Sequence, residues 1–366
     1  MELKIDRESL LKPLQLVIGI VEKRQTLPIL GNVLLKIENG QLSITATDLE
    51  IEMVTHIPLE STLVGEITFP ARKFIDICKA LPEGAMLNIK TEGDRATIRS
   101  GKSRFILSTL PASEFPNIDS FEPLTTFVLE QQQLKFLFDQ TSFAMAQQDV
   151  RYYLNGLLLE LNSKLIRAVA TDGHRLALCD QSTAIDISDT QQIIVPRKAV
   201  LELTRLLDTS TELVTFQLGS NHIRLSTPDM TFIAKLIDGR FPDYQRVVPQ
   251  GGDKIVLADR QLLRQALSRA SILSNEKYRS VRFKLSENSL QVLAHNPEQE
   301  EAEEEILVNY DGDTLEIGFN ASYVMDALAA ISTDEVRLEL TDQNSCCLIR
   351  SSSNDDCRYV VMPMRL

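Results

Sequence analysis

The chain repeats itself three times, and that self-similarity limits its fold more than any other feature of the sequence. Short apolar runs at 3–6, 127–130 and 255–258 open the three copies. Behind them apolar side chains recur every third or fourth position: Leu10, Leu11, Leu14, Val17, Ile18; then Leu134, Leu137, Phe138, Thr141, Met145; then Leu262, Leu263, Ala266, Leu267, Ala270. That period predicts a helix with one buried stripe in each copy. Pro13 falls inside the first and should kink it or shift its start.

A hairpin pattern follows each time. Residues 32–37 turn at Glu38-Asn39-Gly40 into 42–48, residues 155–161 turn at Asn162-Ser163 into 165–172, and residues 280–285 turn at Ser286-Glu287-Asn288 into 290–296. The return strands end alike, as Ala46-Thr47-Asp48, Ala170-Thr171-Asp172 and Ala294-His295-Asn296. A second helix comes next, with Phe74, Ile77, Cys78 and Leu81 after Pro70, Val200, Leu203, Thr204 and Leu207 after Pro196, and Val324, Ala327, Leu328 and Ile331 after Asn320. Each set lies at +4, +7, +8 and +11 from its starting residue, one face of a helix. Phe115-Pro116-Asn117 and Phe241-Pro242-Asp243 close the first two copies. The expected architecture is α+β: three tandem domains, each with two helices on one side of antiparallel sheet. Boundaries near Glu122 and Gln250 give domains 1–122, 123–250 and 251–366.

The 366 residues carry 38 Lys+Arg against 51 Asp+Glu, a net charge of −13, which argues against a protein that coats nucleic acid or membrane over its whole surface. The helices depart from that average. Arg72, Lys73 and Lys79 outweigh Asp76; Arg197, Lys198 and Arg205 outweigh Glu202; Arg260, Arg264 and Arg269 outweigh Asp259. One face should therefore be basic and the rest strongly acidic, although exposed helix faces also carry Lys and Arg simply for solubility. Three loops in corresponding places add Lys23 and Arg24, then Gln148, Arg151, Tyr152 and Tyr153, then Lys277, Tyr278 and Arg279. Arg beside Tyr on a loop suits phosphate contact with stacking. The first residues lack a secretory pattern, no apolar stretch approaches the roughly 20 residues a membrane span needs, and the five cysteines lack C-x-x-C spacing. A cytoplasmic protein with reduced thiols is expected.

Long strings carry a resemblance over the whole chain: Thr26-Leu27-Pro28-Ile29-Leu30-Gly31-Asn32, Asp149-Val150-Arg151-Tyr152-Tyr153-Leu154-Asn155-Gly156, Thr171-Asp172-Gly173-His174-Arg175-Leu176, Asp238-Gly239-Arg240-Phe241-Pro242-Asp243-Tyr244 and Val361-Met362-Pro363-Met364-Arg365-Leu366. The sequence is similar to the bacterial sliding clamps, the DNA polymerase III β subunit family. The resemblance implies a head-to-tail homodimeric ring of six similar domains around double-stranded DNA, held without sequence preference. Twelve helices spaced ~10 Å apart would line a hole roughly 28 Å across, wider than a duplex. Basic helices inside would attract phosphates without reading bases, so grip would come from topology and the ring could slide. Residues expected at DNA are Arg24, Arg72, Lys79, Gln148, Arg151, Tyr152, Tyr153, Arg197, Lys198, Arg205, Arg269, Lys277 and Arg279.

The resemblance also implies a hydrophobic cleft that takes short peptides from the polymerase III α subunit, the clamp loader, and other polymerases and repair proteins. Its matching residues are Leu154, Thr171, Gly173, His174, Arg175, Leu176, Pro242, Arg246, Val247, Cys346, Val360, Met362, Pro363, Met364 and Arg365. Leu, Val, Pro and adaptable Met suit promiscuous peptide binding. At the subunit contact the resemblance sets the acidic run Glu298, Glu300, Glu301, Glu303 and Glu304 against Lys73, Arg95, Lys102 and Arg104, with Ile77, Phe105, Leu107, Ile272 and Leu273 supplying apolar area. The extra Glu305 leaves the strand register there open. Mutually repelling carboxylates make a metal site improbable, and no cofactor and no catalytic residue is expected. Two other readings compete: a hydrolase using Asp172 and His174, although no nucleophile motif accompanies them, and a peptide-binding scaffold with no DNA role.

Overall fold

The computed structural model describes residues 2–21, 27–59, 64–118, 122–187, 189–249 and 251–365. The first repeat runs β1 (Glu2–Asp6), α1 (Arg7–Val17), β2 (Asn32–Glu38), β3 (Gln41–Thr47), β4 (Ile51–Pro58), β5 (Gly65–Pro70), α2 (Ala71–Ala80), β6 (Met86–Glu92), β7 (Arg95–Ser100) and β8 (Ser103–Ser108). The second runs β9 (Thr125–Glu130), α3 (Gln131–Thr141), β10 (Gly156–Leu161), β11 (Leu165–Thr171), β12 (Arg175–Ser182), β13 (Gln191–Pro196), α4 (Arg197–Leu206), β14 (Leu213–Leu218), β15 (His222–Ser226) and β16 (Met230–Lys235). The third runs β17 (Lys254–Asp259), α5 (Arg260–Ala270), β18 (Ser280–Ser286), β19 (Ser289–His295), β20 (Glu301–Leu307), β21 (Leu315–Asn320), α6 (Ala321–Ala330), β22 (Glu335–Leu340), β23 (Cys347–Ser351) and β24 (Cys357–Val361). The order is the same each time: strand, helix, four strands, helix, three strands.

Each repeat divides its strands between two sheets, where the sequence pattern suggested one. Sheets then continue from repeat to repeat. The chain forms two compact units, residues 1–132 with 205–236 and residues 133–204 with 237–366. The first holds a four-stranded sheet, β1-β6-β7-β8, and an eight-stranded sheet, β5-β2-β3-β4-β16-β15-β14-β9. The second holds β20-β19-β18-β21 and the eight-stranded β13-β10-β11-β12-β24-β23-β22-β17. The seams β4–β16 and β12–β24 are antiparallel, pairing Met53 with Phe232 and Leu176 with Val360. Each compact unit thus takes strands from two repeats.

Local chemistry starts the helices where expected. Asp6 Oδ1 accepts the Ser9 N–H at 2.8 Å, Asp259 Oδ1 accepts that of Leu262 at 2.8 Å, and Asn320 Oδ1 accepts that of Ser322 at 2.9 Å. Because Asp6 caps α1, Pro13 does not shift its start, and the helix runs on to Val17. Asn39 and Gly40 turn the first hairpin with φ of 52° and 71°, as a tight two-residue turn requires. Leu10, Leu14 and Val17 bury the α1 stripe; Leu263, Ala266, Leu267 and Ala270 bury that of α5, with Leu262 left outside. Helix α3 stops at Thr141, so Met145 is buried beyond a 3-10 turn rather than on the helix. No helix among the described residues is long and apolar enough to cross a membrane.

One expectation is overturned. Cys179 and Cys357 are disulfide-bonded, with Cα atoms 4.1 Å apart, whereas Cys78, Cys346 and Cys347 are free thiols. The two are register partners across the β12–β24 seam, 178 residues apart in sequence. Spacing in the sequence could not show this, since the seam itself brings them together.

Phe74 on α2 is fully buried and stacks on Phe69 with ring centroids 4.5 Å apart. Phe74→Ala is expected to cost about 3–5 kcal/mol through lost burial and a residual cavity, read as a lower denaturant midpoint for the unfolding transition.

Candidate functional site

The second compact unit carries an apolar cluster where the cleft is expected. Alternate residues of its eight-stranded sheet point to one face, bringing Leu158, Val169, Leu176, Leu178, Leu348 and Val360 together with Ile194, under Phe241 and Tyr244. Tyr153, Ile237, Val247, Val248 and Cys346 pack on the rim, half-buried. Of the expected cleft residues, Leu176 and Val360 are buried members of this cluster, and Leu154 and Thr171 are buried as well. Val247, Met362, Pro363 and Met364 are half-buried; Gly173, His174, Pro242, Arg246 and Arg365 are exposed. The last strand leaves the cluster as a strap: Met362 N–H donates to the His174 carbonyl at 2.9 Å and Met364 N–H to that of Gly318 at 2.8 Å. Cys346 lies with Sγ 3.8 Å from the Val247 carbonyl, and burial pushes its thiol pKa up, away from the reactive thiolate.

The Thr-Asp signature is a turn, and its geometry occurs twice. Thr171 Oγ1 donates to the Arg175 carbonyl and accepts the Gly173 N–H, while Asp172 Oδ1 accepts the N–H groups of His174 and Arg175. In the first repeat Thr47 and Asp48 do the same for Leu49, Glu50 and Ile51. The residue after Asp takes φ of +89° at Gly173 and +79° at Leu49. Asp172 also receives Arg175 Nε at 3.2 Å. A carboxylate occupied by a turn and a guanidinium is not arranged as a base for His174, and the hydrolase reading falls.

Arg175 does not simply line the cleft. It pairs with Asp326, donates to the Phe143 carbonyl at 2.7 Å and lies over the Tyr323 ring, 4.5 Å from its centroid, so it anchors the cleft wall to α6. Arg151 is likewise engaged. It holds Asp149 through Nε (3.1 Å) and Nη2 (2.9 Å), donates to the Asp172 carbonyl at 3.2 Å, and lies over Gly173, where a Cβ would come within 3.1 Å of both terminal nitrogens. Tyr152 is exposed, meeting Tyr153 edge to face.

Among the expected DNA-facing residues, Arg24 lies outside the described residues. Arg72, Lys79, Gln148, Lys277 and Arg279 are exposed. Arg72 is steadied by the Val21 carbonyl, Arg205 by those of Gln15 and Leu16, and the half-buried Arg197 by that of Met145. Lys198 is half-buried on the same helix as Arg197. Arg269 instead makes a two-pronged ion pair with Glu304 at 2.7 and 2.6 Å, joining residues assigned to two different surfaces.

The two four-stranded sheets end in edges of opposite charge. β8 presents Arg104, with Lys102 exposed in the turn before it, Arg95 exposed at the start of β7 and Lys73 exposed on α2. β20 presents Glu301 and Glu303, with Glu298 and Glu300 exposed just before it. Its register with β19 is unbroken from His295–Glu301 to Ser289–Leu307, so Glu305 causes no slip. Ile77, Phe105 and Leu273 are half-buried and Ile272 is exposed; Leu107 is buried within its own sheet. The apolar side chains actually offered at these edges are Ile106 and Leu307, which the sequence reasoning missed although strand alternation marks both as outward-facing. Among the described residues no group of His, Cys, Asp and Glu is placed to hold a metal.

Comparison with known proteins shows the family. The family models for the N-terminal, central and C-terminal domains of the DNA polymerase III beta subunit match residues 1–119, 128–243 and 245–365. The beta sliding clamps of Pseudomonas putida and Escherichia coli are 56% and 52% identical over the full length of both chains. A crystal structure of the DNA polymerase sliding clamp from Pseudomonas aeruginosa superposes with a TM-score of 0.97 at 56% identity, covering all of each chain. The polymerase III beta of Caulobacter crescentus gives 0.94 at 36%, also covering all of each chain. The chain belongs to the DNA polymerase III beta subunit family, the bacterial sliding clamps. It is a processivity factor for DNA polymerase.

Arg151 holds the half-buried Asp149 carboxyl down to a pKa of about 2, first through its side-chain hydrogen bond and then through its own N–H. The lowered value means this loop anchor is complete above about pH 4 and is lost as pH falls towards 2. A carboxyl NMR titration should place Asp149 near 2, and Arg151→Ala should move it back towards 4.

Proposed function

We propose that the chain works as a closed ring: two copies join head to tail, their six repeats surround duplex DNA, and the cleft holds short segments of proteins working on that DNA. The manner in which repeats join carries this reading. Inside the chain, the fourth strand of one repeat pairs with the last strand of the next, β4 with β16 and β12 with β24. The same rule applied once more leaves β20 suited to the last strand of a following repeat, and β8 is that strand in a second copy. Joining them would make another eight-stranded sheet like the two within the chain. Glu301 and Glu303 would meet Arg104 and Lys102, and Ile106 and Leu307 would leave water.

Arg24, Arg72, Lys79, Gln148, Arg151, Tyr152, Tyr153, Arg197, Lys198, Arg205, Lys277 and Arg279 are the residues we assign to DNA, by non-specific phosphate contact. The partners we assign to the cleft are the polymerase III α subunit, the clamp loader, and other polymerases and repair proteins. A DNA polymerase III subunit beta from Pseudomonas aeruginosa has been crystallised with griselimycin, and its chain superposes on this one with a TM-score of 0.96. In this reading the protein is cytoplasmic and performs no chemistry of its own.

Protein loaded on a nicked circle should stay bound and should be released when that circle is linearised; equal loss from both would refute encirclement. Arg104→Glu with Lys102→Glu should weaken the dimer by about tenfold at low salt, and Glu301→Lys with Glu303→Lys on the other edge should restore part of it. Sedimentation of the single and combined variants checks the pairing of edges.

A further inference from the structure

The apolar face that floors the cleft turns polar along its strands. In the next same-face row after Leu158, Val169 and Leu178 stand Glu160, Arg167 and Asp180, in register across β10, β11 and β12. Two residues before Val360 on β24 stands Arg358, opposite Leu178. Arg167 clamps Asp180 with Nε at 2.6 Å and Nη2 at 2.8 Å, and Arg358 Nη2 reaches the same carboxylate at 2.8 Å. Tyr244 closes the group, its hydroxyl accepting from Arg167 Nη1 at 3.2 Å and donating to Glu160 Oε2 at 3.1 Å. Beside these groups opens a recess of about 320 Å³, walled by Arg167, Arg358, Gln245, Leu178, Tyr244 and Val248. Leu178, Tyr244 and Val248 also belong to the apolar cluster, so recess and cleft share a wall.

Both guanidiniums here pair with the one Asp180 carboxylate, whose two oxygens are already taken, while Glu160 beside Arg167 is held by the Tyr244 hydroxyl. Arg358 makes a single hydrogen bond to Asp180, and its Nε is buried without a partner among the described residues. Because that single bond uses one N–H of Arg358, other N–H groups of its terminal nitrogens remain to meet an arriving acceptor. A guanidinium fork suits a carboxylate, and a carboxylate brought by a docked chain would arrive along the shared apolar wall.

We propose that this recess is an anion-accepting extension of the cleft, taking a carboxylate carried by the docked peptide through Arg358 and Arg167. The proposal rests on the cleft being a peptide site. The specificity it adds is chemical: of two segments with equal apolar anchors, the one with a suitably spaced acid binds more tightly.

The test uses the full-length protein and a short peptide with two adjacent large apolar residues, capped at both ends. Glu and Gln are placed in turn at each remaining position, and one further version carries a free terminal carboxylate. At low salt, Glu should outbind Gln by about fivefold at one position, or the free terminus should outbind the amide by as much, which tells a side-chain source from a terminal one. Arg358→Gln should abolish that preference while leaving the affinity of the neutral peptide unchanged. A Glu-to-Gln ratio near one at every position, with no gain from the free terminus and the neutral peptide still bound, overturns the inference and spares the cleft. If no peptide binds at all, the cleft reading fails and takes this one with it.

Discussion

Backbone pairing at strand edges is the interaction on which the rest of this molecule depends. A strand at the border of a sheet exposes N–H and C=O groups that need partners. In this chain the fourth strand of one repeat and the last strand of the next meet that need for each other, at β4–β16 and β12–β24. Side chains alternate along a strand, so the register that satisfies the backbone also assigns every residue to a face. One register at β12–β24 therefore turns Leu176 and Val360 into the cleft and Cys179 and Cys357 to the opposite side. A slip of one residue would exchange them.

Around that floor the rim is fixed by polar contacts of a different kind. The Thr-Asp turn supplies its own hydrogen bonds, Arg175 fastens it to α6, and Arg151 ties the neighbouring loop to it. Charge-assisted bonds of this kind hold geometry well even where their net contribution to stability is small. A partner docked on such a surface would gain roughly 25 cal/mol per Å² of apolar area removed from water.

Much of the fold was legible because its signals are local. The helix stripes, the Asn39-Gly40 turn and the capping Asp6, Asp259 and Asn320 act within a few residues of one another. Leu262 misled because periodicity marks both sides of a wide stripe, and packing then chose Leu263. The division of each repeat into two sheets, the seams and the Cys179–Cys357 bond are non-local, and nothing in residue spacing encodes them. The cleft residues came from resemblance and not from pattern: Leu176 and Val360 are individually ordinary strand residues. Arg269 shows the limit of sorting charges by helix, since its counter-ion Glu304 sits on a strand of the same repeat, 35 residues away. Ile106 and Leu307 were readable by alternation alone, had the charged neighbours not drawn attention first.

The charges on β8 and β20 have one more consequence. Glu301 and Glu303 on one border repel another border of the same composition, and Arg104 with Lys102 do likewise on the other. Neither end can zip onto its own twin. A chain with one border of each sign behaves like a domino, in which identical pieces can be laid in only one sense, and the open strands that would otherwise invite indiscriminate sticking become a rule of order.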